Sequence, residues 1–114
     1  MNISELFSLV DTLKPNSYGN SEKLMWLNQV EQQIADIQGE TFTPYTESGD
    51  AELLAPVPFT NVYEYYLKAM IDNESKDFEG YSNNLILYNA SFSSYTKHFL
   101  RNNAGTDTAV SNIW

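Results

Sequence analysis

Apolar residues recur at three- and four-residue steps in four stretches of the chain, the spacing of a helix that buries one face. The first stretch is Ile3, Leu6, Phe7, Val10 and Leu13, opened by Asn2 and Glu5 at capping-box spacing. Pro15 biases Lys14 away from helical dihedrals, so this helix is predicted to stop there. Leu24, Leu27, Val30, Ile34 and Ile37 form a second face, with Asn20 or Ser21 as N-cap, Glu22 in the first turn and Gly39 as the stop. A third helix starts at Pro58 and carries Phe59, Val62, Tyr63, Tyr66, Leu67, Met70 and Ile71. The fourth is long and aromatic along one seam, through Phe78, Tyr81, Leu85, Tyr88, Phe92, Tyr95 and Phe99. The rhythm breaks only briefly at Ser75 and Lys76, which predicts an antiparallel hairpin of the last two helices.

Between the second and third helices, residues 39–57 (GETFTPYTESGDAELLAPV) lose the helical period and hold Glu40, Glu47, Asp50 and Glu52 with no base. Residues 41–46 alternate enough for a short strand that would pair with 52–54 across Ser48, Gly49 and Asp50, although an isolated two-stranded ribbon is marginal. Loops of this length usually serve a function or are merely tolerated on the surface. The expected architecture is all-α and four-helix bundle-like: a short helix, a helix, the long acidic loop with or without its ribbon, and the helical hairpin. Residues 1–103 form the single domain, and 104–114 read as a flexible polar tail ending in Ile113 and Trp114.

Composition narrows the functional classes. The chain has 114 residues, 15 acidic and 6 basic, for a net charge of −9. That balance repels phosphate backbones and anionic lipid, which makes nucleic acid and membrane surfaces poor tightly bound partners. With no cysteine there is no disulfide framework and no thiolate metal site, a pattern that fits an intracellular origin. The N-terminus has no basic region followed by an apolar run, and no apolar run approaches a spanning helix, so neither a signal nor an anchor is expected.

The candidate chemistry is thin. In LKPNSYGNSEKLMWL, residues 13–27, a glycine precedes a helix, yet the stretch has one glycine, lacks a lysine-serine ending and follows a helix. It reads as a hinge with Tyr18 in its corner, not as a phosphate cradle. His98, the only histidine, lies by Lys97 and Arg101 near a helix end and is expected to be exposed and partnerless. Glu74 with Asp77, or Glu47 with Asp50, could approach as paired carboxylates, but their spacing is not that of an EF-hand and a solvated acidic face explains them. No nucleophile–base constellation is available, so no catalytic residue, cofactor or metal is assigned. The tyrosines and phenylalanines have no interleaved bases, which disfavours base stacking. They suit a core and half-buried interfaces instead.

Several segments resemble a group of small phage and prophage proteins classed with head-tail connectors, the head-completion adaptors. The resemblance spans residues 13–99 and rests on Pro15, Asn16 and Tyr18; on Trp26, Leu27 and Asn28; and on Glu52, Leu53, Leu54, Pro56 and Pro58 before a tyrosine-rich helix. It is a pattern of many moderate positions. It implies a non-enzymatic structural virion protein that meets its partners in the host cytoplasm during assembly. There it forms a homo-oligomeric ring, dodecameric on the portal, and links the portal protein to the stopper or tail-completion protein. By location alone, residues 104–114 would dock on the portal and 39–57 would face the channel or the next component. Phe42, Tyr45, Ile113 and Trp114 are the candidate interface residues. Glu40, Glu47, Asp50 and Glu52 are the candidate acidic face, past which DNA slides without sticking.

Two other classes compete with the ring. A small phage-encoded binding module, monomer or dimer, would use the aromatic helix face as a groove for a partner helix. A hydrolase using scattered carboxylates would need geometry that the sequence does not supply.

Overall fold

At the start of the chain the Asn2 side chain accepts the Glu5 N–H at 2.9 Å while the Glu5 carboxylate accepts the Asn2 N–H at 3.1 Å. This reciprocal cap opens helix α1, Ile3–Leu13, in the computed structural model, which describes residues 1–103. The expected tail, with Ile113 and Trp114, lies outside the described residues. Ile3, Leu6, Phe7 and Val10 are buried, and Leu13, last on the stripe, stays half exposed where the helix ends. Lys14 caps that end ahead of Pro15, and the Asn16 side chain closes the turn by accepting the Tyr18 N–H at 3.1 Å and donating to the Lys14 carbonyl at 2.9 Å.

Helix α2, Asn20–Gln38, differs from expectation at its start: Gly19 is the N-cap and no side chain caps it. Ser21 is drawn elsewhere, donating to Glu47 at 2.8 Å. Its other end is as expected, with Gly39 in the left-handed region at φ 72° donating to the Ala35 and Asp36 carbonyls. Leu24, Leu27, Val30 and Ile34 are buried, but so are Trp26, Lys23 and Glu31. Tyr18 meets Trp26 edge-on, ring centroids 5.8 Å apart, which puts it in the corner between α1 and α2.

The ribbon expected in residues 41–54 is not formed. No strand occurs among the described residues, and Glu52 makes an isolated antiparallel bridge to Asn2 instead. Leu53 N–H donates to the Met1 carbonyl at 2.9 Å and Ile3 N–H to Ala51 at 3.2 Å. The N-terminal residues thus satisfy backbone groups that an isolated ribbon would have left exposed to water.

Helix α3, Asn61–Glu74, begins three residues later than Pro58 because residues 56–59 form a turn, in which Phe59 N–H donates to the Pro56 carbonyl at 2.7 Å. Helix α4, Phe78–Asn103, returns antiparallel to it after Ser75, Lys76 and Asp77. The register descends on one side as it rises on the other: Asp72 meets Asn84, Tyr66 meets Tyr88 and Phe59 meets Tyr95. Tyr88 and Tyr95 are buried and Leu85, Phe92 and Phe99 pack half-buried on the core, whereas Phe78, expected on the same seam, is 61% exposed. Buried Asp72 ties the hairpin to α1 by an ion pair with Lys14, and buried Lys23 pairs with Asp11 at 2.7 Å.

Candidate functional site

The loop of residues 40–60 is held to the helices by one carboxylate that sequence reasoning missed. Glu31 lies on α2 within the apolar face, one turn after Leu27 and one turn before Ala35, and is wholly buried. The Tyr63 hydroxyl, from α3, donates to its Oε1 at 2.5 Å, while Oε2 accepts the Tyr45 hydroxyl and, at 3.0 Å, the Leu54 N–H. Tyr63 in turn accepts the Ala55 N–H at 2.7 Å. One buried side chain therefore gathers both limbs of the loop and α3. Burial pushes the Glu31 carboxyl above its usual range, and the three hydrogen bonds oppose that shift. The Tyr45 and Tyr63 hydroxyls are pushed strongly upward, first by burial and then by the neighbouring carboxylate, so both remain donors.

A second clamp works on the backbone. The Asn28 amide accepts the Tyr45 N–H at 2.9 Å and donates to the Tyr45 carbonyl at 3.3 Å, much as a strand partner would. Phe42 rests edge-on against Tyr45 with centroids 5.1 Å apart. Tyr45, expected at an interface, has its hydroxyl and backbone both engaged within the chain; Phe42 beside it is half-buried. Of the four, only Phe42 and Tyr45 lie within the described residues.

Glu40, Glu47, Asp50 and Glu52 are all exposed, as an acidic face requires, but three of them also fasten the loop. Asp50 accepts the Ser4 N–H and the Ser4 hydroxyl, each at 2.9 Å, which places its charge on the N-terminus of α1. Glu52 pairs with the Met1 amino group at 3.1 Å, and Glu47 accepts from Ser21. A shallow groove of about 380 Å³ runs between α1, α2 and this rim, floored by Ile3, Phe7 and Leu24.

The remaining candidates change in detail. His98 is not partnerless: its ring lies 4.5 Å from that of Phe59 and its Nε2 is 2.8 Å from the Asn102 amide. Asp77 caps α4 by accepting the Gly80 N–H at 3.0 Å. Among the described residues, no group of three or more histidines, cysteines or acids could hold a metal ion. The aromatic seam of α4, considered as a groove for a partner helix, packs on the protein's own core, with Tyr66 on the Tyr88 ring and Phe59 on the Tyr95 ring. Glu31 leaves one signal in the sequence, an acid inside an apolar stripe.

No protein-family model, curated protein or solved structure matches this chain.

Proposed function

We propose that the protein is a structural head-tail connector adaptor, non-enzymatic, which assembles as a ring against a phage portal and joins it to the stopper or tail. The observation that carries this reading is where the family-like residues lie. Asn16 and Tyr18 shape the first turn, Trp26 receives Tyr18, Asn28 grips Tyr45, and the segment 52–58 is the limb that Glu31 holds. Of the resembling positions, Asn16, Tyr18 and Trp26 build the corner between α1 and α2, and Asn28 with the segment 52–58 seats the acidic loop. A rigidly seated loop with exposed carboxylates suits a component that DNA must pass without being held.

The test is assembly on a purified phage portal protein. Light scattering of the mixture, with the full chain and with residues 104–114 removed, should give a ring-sized increment for the full chain alone. A chain that remains monomeric at every concentration and ignores the portal would sink the reading.

A further inference from the structure

The face of α4 turned away from α3 has an organisation of its own. Glu79, Asn83, Ile86, Ala90, Ser93, Lys97 and Leu100 follow one another at alternating steps of four and three, and all seven are exposed. This is the heptad rhythm of a helix seam that packs on another helix. Ile86 is 66% and Leu100 46% exposed, with Phe78 and Leu87 on the flanks, also exposed. Over residues 80–96 the helix carries no charge at all, in a chain whose net charge is −9. Among the described residues neither Glu79 nor Lys97 has an ion-pair partner.

From this seam we infer that α4 is a pairing surface for a second copy of the same chain, with the two helices antiparallel about a two-fold axis between Ile86 and Ala90. In that register Ile86 of each copy faces the small Ala90 of the other, Asn83 faces Ser93, and Glu79 faces Lys97. Large meets small, amide meets hydroxyl, and opposite charges meet at both ends, about 27 Å apart at the helical rise. A parallel pair would instead bring Glu79 to Glu79 and Lys97 to Lys97. The uncharged stretch also matters for a strongly acidic protein, because it lets two copies approach without opposing carboxylates. The contact is isologous, unlike the head-to-tail contacts of a ring, so it does not rest on the connector reading.

Sedimentation of the full chain without any portal tests it. A single helix pair is at the low end of interface sizes, so dimers should form with a dissociation constant on the order of 10 µM. Glu79→Lys alone and Lys97→Glu alone should each weaken the dimer roughly tenfold, since each change acts twice across the axis. The double exchange E79K/K97E should return to within about threefold of the original, because it recreates opposite charges. Ile86→Asp, at an exposed site where the fold tolerates it, should abolish the dimer while circular dichroism stays unchanged. A chain that is monomeric up to about 500 µM overturns the inference, whether the face is bare or covered by residues 104–114 or another partner. So does an oligomer indifferent to Ile86→Asp, or a double exchange that stays as weak as the single changes.

Discussion

The Glu31 carboxylate on α2 accepts the Tyr63 hydroxyl of α3 at 2.5 Å, with neither side chain exposed to solvent. Because Tyr45 and Leu54 share the same carboxylate, this contact sets the position of the loop as well as of the two helices. Replacing Glu31 by alanine leaves the Tyr63 hydroxyl and the Leu54 N–H without their acceptor, and the Tyr45 hydroxyl with only the Glu52 carbonyl at 3.4 Å. The expected loss is about 2–4 kcal/mol of unfolding free energy in urea, the scale of orphaned buried polar groups plus lost packing. Tyr63→Phe, which strands the Ala55 N–H and one carboxylate oxygen, should cost about 1–3 kcal/mol.

The same carboxyl gives stability an unusual dependence on pH. Burial raises its folded-state pKa above the usual 4.5, so the folded protein binds that proton more tightly than the unfolded chain does. Its contribution is complete below about pH 4.5 and is lost as pH rises through the folded value. Urea midpoints compared with those of Glu31→Gln should therefore show the native protein losing ground to the variant as pH rises. A pH-independent difference would mean that Glu31 titrates alike in both states.

Gly80, in the first turn of α4, faces Asp72 near the end of α3. A Cβ there would stand 2.6 Å from carboxylate oxygens of both Asp72 and Asp77. Asp72 is buried and fixed by Lys14 and by Asn84 at 2.9 Å, so it has little room to yield. Gly80→Ala should lower stability by about 1–3 kcal/mol despite the better helix propensity of alanine. A thermal melt reads the difference directly, and a raised melting temperature would show that the carboxylates move aside cheaply.

Asp50 has two roles on this reading, surface charge and cap. Asp50→Ala removes the acceptor of the Ser4 N–H and the negative charge at the start of α1, and leaves the Ser4 hydroxyl only Asn2 Oδ1 at 3.1 Å. The expected cost is about 1 kcal/mol, with faster hydrogen exchange at the Ser4 amide and across the loop. Unchanged exchange there would reduce Asp50 to a surface charge.

DNA passage calls for a variant that alters charge without loosening the loop. Glu47, Asp50 and Glu52 are all fasteners, whereas Glu40 lies exposed just beyond the Gly39 cap. Glu40→Lys should leave stability within about 0.5 kcal/mol of the native protein. On the connector reading it should slow genome delivery, and infectivity equal to that of the native phage would count against an acidic channel wall.

The local structures are legible from neighbouring residues alone. Three- and four-residue periodicity, the Asn2–Glu5 box, Pro15 and the Gly39 stop are short-range signals, and four helices form on them, with α2 capped by Gly19 and α3 starting three residues after Pro58. The tertiary structure decided what those signals cannot reach. Residues 51–53 pair with the N-terminus instead of with each other, since a free backbone group takes whichever partner the fold brings near. Glu31 lies in the core because partners 14, 23 and 32 positions away in sequence converge on it, and only folding brings them together. A buried charge needs hydrogen-bond donors from distant parts of the chain to offset its desolvation, and no local pattern records where they will meet.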